Sequence, residues 1–308
     1  MPLIQIHKEH LPHPTTITPS ALISTKGMFE IQCDADIFLP RTQSIYVKGE
    51  FYYQPDNYYG IASRDDGRKL GEYKYYRYLF NADYNKGIGK YIQIGSTIDL
   101  TYHHFTSLSD SLKNRYDDEI ENASKWSNGI GAVVSFDNRD NTLNPTRGWH
   151  CRLWTRLYFK QIGSRTNFNI FRIDIRKYWA PTESTVIAGQ IYVDYSPDED
   201  TPFHKLSTFG GTRLGRAIPH NLKYIDHFAW LTQGEIRFPL FWRIGATGWT
   251  AMGNASDNVS NSFDDIHLMA GAGLRFKVFP EHGLNLRLDG GFSSRGDKAI
   301  YFNIREAF

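Results

Sequence analysis

The chain has 308 residues, enough for two ordinary domains or one large all-β domain, with 15% aromatic residues and a formal net charge of +2. Acidic and basic residues are interspersed without a basic block or an acidic tail, which argues against a nucleic-acid partner. No window approaches the roughly 20 consecutive apolar residues of a spanning helix; that excludes a helical membrane protein but not a β-barrel, whose lipid-facing residues alternate with polar lumen-facing ones.

Residues 1–15 are rich in His and Pro and read as an irregular segment. The start, Met1-Pro2-Leu3-Ile4-Gln5-Ile6-His7-Lys8, lacks a positive region followed by an apolar one, the mark of an export signal. Residues 16–308 read as one all-β domain. Its repeating unit is a run of about ten residues with period-two alternation, ended by Gly, Pro, Asn or Asp. Fourteen such runs fall at 16–23, 28–38, 44–54, 72–86, 91–105, 129–137, 149–160, 168–179, 185–195, 228–238, 243–254, 266–278, 284–292 and 299–307. Between 168 and 179, Phe171, Ile173 and Ile175 share one parity while Arg172, Asp174 and Arg176 share the other. Between 228 and 238, Gln233, Glu235 and Arg237 oppose Trp230, Ile236 and Phe238.

The connections 55–71, 106–127 and 196–227 are long and most others are short, the pattern of an antiparallel barrel that crosses a membrane. A soluble β-sandwich also has many short alternating strands. Three features favour the barrel: runs longer than the usual five or six residues, a charged parity of mixed sign, and aromatics near strand ends. Those aromatics are Tyr52, Tyr53, Tyr58, Tyr59, Trp149, Tyr178, Trp179, Phe241 and Trp242, expected in an interfacial girdle.

No nucleophile elbow, zincin motif, Cys pair or phosphate-binding loop occurs, so neither an enzyme, a metal nor a cofactor is expected. His103 and His104 are adjacent and would face opposite sides of a strand. Asp264 and Asp265, near His267, fall in a polar turn, and Cys33 and Cys151 are isolated. A barrel-borne outer-membrane hydrolase is the enzyme alternative, and nothing marks its nucleophile.

Several motifs carry a family resemblance. Asp137-Asn138-Arg139-Asp140, followed by Pro145 and Gly148, is similar to a short periplasmic turn of the bacterial surface antigen (BamA/TamA) family of outer-membrane barrels. Gly210-Gly211-Thr212-Arg213-Leu214-Gly215-Arg216 resembles that family's long-loop signature, and Gln233–Leu240, Gly271–Phe276 and Tyr301–Phe308 resemble the strands after it. Together they cover about the last 180 residues in the family's order.

The resemblance implies an assembly or translocation module in the bacterial outer membrane. Its partners would be membrane lipid, the assembly machinery during biogenesis, and a client whose identity the residues do not give. A passive or structural pore is the alternative. The resemblance also implies that the loop folds into the lumen and that Arg216 meets an inner-wall carboxylate, with Glu235 and Asp289 the candidates; an exposed loop with a solvated arginine is the plainer reading. Physically, Asp137, Arg139 and Asp140 suit a tight turn whose geometry Pro145 and Gly148 fix. Phe308 shares parity with Phe302 and Ile304 and is expected to close a lipid-facing stripe, the family's assembly signal, with Glu306 on the same stripe. Ala217 and Ile218 stand where the family has Gly and an aromatic residue.

The family barrel has sixteen strands, eleven before the loop and five after. Here the sequence shows nine before and five after, and the start also lacks an export signal. Both absences point to a chain that begins within a longer gene product and lacks its first two strands.

Overall fold

The structure, a computed structural model, describes residues 4–6, 15–23, 27–39, 42–113, 116, 120, 125–142, 144–279, 284–304 and 306–308. The first strands in chain order are β1 (Ile4–Ile6), β2 (Thr15–Ile23), β3 (Phe29–Leu39), β4 (Gln43–Tyr58), β5 (Gly71–Ile88) and β6 (Ile92–Leu108). There follow β7 (Trp126–Asp137), β8 (Gly148–Tyr158), β9 (Phe168–Trp179) and β10 (Val186–Tyr195). Within the longest loop lie β11 (Ser207–Thr208) and β12 (Ile225–Asp226), which pair only with each other. The chain then completes its wall with β13 (Phe228–Phe241), β14 (Ile244–Ser256), β15 (His267–Phe279), β16 (Leu284–Ser293) and β17 (Lys298–Ile304).

All strands except β11 and β12 form one antiparallel sheet of 15 strands in which sequence neighbours are spatial neighbours, and β10 pairs with β13 across the loop. This is a transmembrane antiparallel barrel, and its fourteen long strands are the fourteen expected runs. The expectation for residues 1–15 needs correction: Ile4–Ile6 forms a strand paired with β2, and Thr15 already belongs to β2. Most of the remainder of that segment lies outside the described residues.

Two strands run further than their turn residues indicate. β4 continues through Pro55, which pairs with Lys74 on β5. Its pairing with β3 ends at Phe29 and Tyr53, so a donor-less nitrogen there can face an unpaired edge. β13 continues through Pro239, and the register shifts there.

Along the wall the alternation decides which face is wet and which is oily. On β13, Ala229, Leu231, Gln233, Glu235 and Arg237 are buried inward while Ile236 and Phe238 are exposed outward. Ile98, Ile130, Leu153, Ile191, Leu274 and Leu288 extend the outer apolar surface across neighbouring strands. Removing such a belt from water is what favours insertion in lipid, where backbone groups are tolerated when neighbouring strands pair them.

The aromatic girdle is half of what its sequence positions indicate. Trp149, Trp179, Phe241 and Trp242 are exposed at the short-turn end, whereas Tyr58, Tyr59 and Tyr178 are buried inside. Tyr58 and Tyr178 fall on the inward parity, which outweighs their closeness to a strand end.

The barrel interior is filled by the loop 196–227. Phe209, Ala217, Ile218 and Tyr224 pack against Leu231, Trp249 and Met269. On the opposite side, Phe203, Leu206 and Ile225 pack against Tyr58, Tyr73 and Tyr75.

Candidate functional site

Register assembles the site before the loop reaches it. Glu235 on β13 lies opposite Trp249 on β14, which lies opposite Gly271 on β15, which lies opposite Gly291 on β16. One step along, Arg237, Thr247, Gly273 and Asp289 form the next row, and Arg275 and Arg287 are partners in the row after that. The glycines make room: a Cβ on Gly271 or Gly291 would sit 2.4 Å from the Trp249 ring. The indole therefore lies flat along the wall and offers its face to the lumen.

Arg216 comes down onto that face. Its guanidinium carbon is 4.5 Å from the Trp249 ring centroid. Nη2 donates to Glu235 Oε2 at 2.7 Å and Nη1 to Asp289 Oδ2 at 3.4 Å. The side chain is fully buried, and a planar fork stacked on an aromatic face between two carboxylates is the arrangement that favours arginine over lysine. Gly210 and Gly211 take φ values of +142° and +84° at the neck of the loop. A Cβ on Gly211 would meet Asn221 Oδ1 at 1.8 Å. The neck closes through Gly211 N–H to the Ile218 carbonyl at 3.0 Å. Ala217 and Ile218 are fully buried, and the Tyr301 hydroxyl donates to the Ile218 carbonyl at 2.7 Å.

The two carboxylates are not reserved for Arg216. Arg237 Nε donates to Glu235 Oε1 at 2.6 Å. Asp289 accepts from Arg275 Nη1 at 2.7 Å and from Arg287 Nη1 at 2.6 Å. Glu306 accepts from Arg275 Nε and Asn285 Nδ2, each at 2.7 Å. Charges out of water are tolerated only when such pairing is nearly complete. Arg275 and Trp249 are not among the expected site residues; the signal that could have found them is cross-strand register, which sets Trp249 opposite Glu235 and Arg275 opposite Arg287, the inward neighbour of Asp289.

Glu306 and Phe308 require a correction. The outward stripe of β17 comprises Phe302 and Ile304, both exposed, and the strand ends at Ile304. Glu306 and Phe308 are buried inside, where Phe308 packs with Tyr178 and Ala188. Parity holds only while a strand continues. Past its end, Glu306 gains the arginines of the inner wall, and a carboxylate in lipid would have none.

The turn between β7 and β8 is held by its carboxylates. Asp137 accepts from Arg139 N–H at 3.1 Å, Nε at 2.9 Å and Nη2 at 2.6 Å. Asp140 Oδ1 accepts from the N–H groups of Asn141 and Thr146 at 2.9 Å and of Arg147 at 3.1 Å. Burial opposes ionisation of Asp140, yet these donors and the Thr146 hydroxyl hold its carboxyl below the ordinary range. Gly148 has a φ of +105°, and a Cβ there would lie 2.5 Å from the Asn138 carbonyl oxygen. The turn also reaches the site: Arg237 Nη1 donates to the Pro145 carbonyl at 3.3 Å, and Nη2 to the Phe308 main-chain oxygen at 3.0 Å.

A second docking point had no signal in the sequence. Lys205 Nζ donates to Asp99 Oδ2 at 2.9 Å on the β6 wall, where Arg156 and the Tyr158 hydroxyl also converge. His103 on β6 faces inward and is buried against His204 of the loop, with ring centroids 3.8 Å apart. Among the residues weighed and set aside earlier, His267 packs edge-on against Tyr224 and Asp265 pairs with Arg295. Among the described residues no cluster of His, Cys, Asp and Glu is arranged to hold a metal.

An antiparallel barrel with an apolar outer belt and a lumen plugged by its own arginine-bearing loop is a membrane-embedded barrel of the plugged kind. The chain belongs to the Omp85 superfamily, whose domain model matches residues 32–304. Among solved structures it resembles BamA from Haemophilus ducreyi lacking POTRA domains 1–3, with a TM-score of 0.66 and 11% identity over 94% of this chain and 64% of that one. It also resembles CdiB from Acinetobacter baumannii, with a TM-score of 0.61 and 12% identity over 94% of this chain and 53% of that one. The chain thus spans less than two thirds of either structure. Among curated proteins none shows significant sequence similarity to it.

Proposed function

We propose that this barrel is a non-enzymatic assembly or translocation module of the bacterial outer membrane, and that its loop is a docked plug whose position matters to that activity. The observation that carries the reading is the convergence on Arg237 and its neighbours. Arg216 from the loop, Pro145 from the β7–β8 turn and Phe308 from the chain's last residues meet in one buried ion cluster. Such an arrangement couples the loop to both the turn side and the end of the last strand, so displacing one disturbs the acceptors of the others. In this reading Gly210, Gly211 and Arg216 form the docking unit, Glu235 and Asp289 its receptor, and Asp137, Arg139, Asp140, Pro145 and Gly148 a rigid lower rim. Phe302 and Ile304 form the lipid-facing part of the last strand that assembly machinery would read. Partners are membrane lipid, that machinery, and a client protein.

The test is reconstitution in liposomes, with the folding of a small reporter barrel followed by its heat-modifiable gel shift. The native chain is expected to accelerate insertion, and Arg216→Ala to reduce that acceleration about ten-fold, the equivalent of roughly 1.4 kcal/mol of lost coupling. An unchanged insertion rate with the native chain, together with ion conductance, would favour a passive pore.

A further inference from the structure

We propose that the closely packed His103–His204 pair is an acid-triggered release for the first limb of the loop, freeing the Phe203–Lys205 turn from the β5–β6 wall while Arg216 keeps the return limb docked. This stands on the plugged-barrel geometry and is independent of assembly activity. The two docking points differ in kind. Arg216 is held by carboxylates against guanidinium, which do not change charge near neutrality. The Phe203–Lys205 turn combines the Lys205–Asp99 ion pair with ring contacts, Phe203 edge-on to Tyr58 and Tyr73 and His204 against His103, and the imidazoles are the part of it that changes charge near neutrality.

Two imidazoles can share that contact only while neutral. Neither ring nitrogen of His204, nor Nδ1 of His103, has a hydrogen-bond partner among the described residues. The charged groups around them are Arg77 and Lys205, with Arg156 and Asp99 beyond, and Tyr75 and Phe105 complete the ring contacts. The nearby carboxylates are Asp99 and Glu50, both already engaged, and Asp56, which lines the adjoining cavity and accepts from the Asn57 N–H at 2.7 Å. Asp99 already accepts from Arg156, Tyr158, Lys205 and Thr101. Glu50 already accepts from Arg77 and Lys48. Burial first, then Lys205 and Arg77, hold His204 well below the ordinary imidazole range.

The sign follows. A histidine kept neutral when docked leaves the contact at full strength above the unfolded value of about 6.5, and weakens it up to about ten-fold per pH unit below that value. A released limb has room to move, because a cavity of about 600 Å³ adjoins the pair, lined by Tyr52, Tyr75, Arg77 and Leu222 among others.

Hydrogen–deuterium exchange of the full chain in detergent tests this, corrected for intrinsic rates, at about pH 7.5 and about pH 5. Segment 200–208 is expected to exchange about ten-fold faster at the lower pH while segment 212–219 is unchanged. The double variant His103→Phe, His204→Phe keeps the ring contact without a titrating group and is expected to show no acid response; His204→Gln alone is expected to show at most half of it. A flat wild-type profile overturns the proposal. So does a response that survives in the double variant, which would assign it to Asp56, Asp99 or Glu50, or one in which both segments open together. Heat-modifiable migration verifies that each variant forms the barrel.

Discussion

The wall from β13 to β17 and the wall from β2 to β4 are built from the same alternating strands, yet they treat charge differently. On the first, Glu235, Asp289, Arg237, Arg275 and Arg287 are all buried and linked pair to pair beneath the loop. On the second, burial hardly alternates, and Lys48 keeps 26% of its side chain in solvent while pairing with Glu50. The loop makes the difference. Where it covers the wall, water is excluded and each charge must find a protein partner; on β4 it reaches Tyr58, and further along the strand Lys48 is left partly to water. The barrel is therefore one fold with a dry, specified side and a wet, permissive side.

The sharpest way to break this contrast is to remove the acceptor shared most widely. Asp289→Ala takes the carboxylate from Arg287 and one of two from Arg216 and Arg275, which keep Glu235 and Glu306, and is expected to destabilise the barrel by about 3–5 kcal/mol, the usual cost of an uncompensated buried charge. Urea titration of the heat-modifiable form reads this directly; a loss below about 1 kcal/mol would mean that water reaches the cluster.

Arg216→Ala comes next. Glu235 keeps Arg237, and Asp289 keeps Arg275 and Arg287, so the wall retains its pairing and the loop alone is freed. We expect a loss of about 2–3 kcal/mol in docking, the worth of hydrogen bonds to charged groups, with rapid proteolysis within 196–227 and an intact barrel. On the wet side, Lys48→Ala is expected to cost at most about 1 kcal/mol, since Lys48 is partly solvated and buried Glu50 keeps Arg77 as its partner. An effect as large as that of Arg216→Ala would erase the distinction between the two walls.

The same distinction explains what the sequence disclosed. Period two is imposed by the backbone, so the strands are legible, and the two acidic residues on inward parity after the loop, Glu235 and Asp289, are the ones that stand beside Arg216. Parity fails past the end of β17: extrapolated beyond Ile304, it puts Phe308 in lipid, where the chain instead turns in towards Arg237. Lys205 and Asp99, 106 positions apart, meet only because the loop crosses the lumen, and no local pattern encodes that. Tyr178 near a strand end satisfies the girdle pattern and the inward parity at once, and packing with Phe308 decides between them.

The smallest effect is expected at the rim, and it sharpens the comparison from outside both walls. Asp140 is a turn carboxylate whose work is to accept backbone N–H groups rather than to match a buried charge. With its carboxyl held below the ordinary range, the stabilisation is present above the unfolded value of about 3.9 and lost only as pH falls below it. The acid response of the turn should therefore lie well below that of the His103–His204 contact, and the two should separate in one exchange experiment. Segment 140–147 stays protected at about pH 5, where 200–208 opens, and loosens only below about pH 4. Asp140→Asn keeps one acceptor oxygen and removes the charge; it should abolish the low-pH step, loosen the turn slightly at neutral pH, and leave the loop untouched. If the turn and the loop instead opened at the same pH, the link from Pro145 through Arg237 to Glu235 and Arg216 would be transmitting one titration to the other, and the rim would have to be counted as part of the dry side.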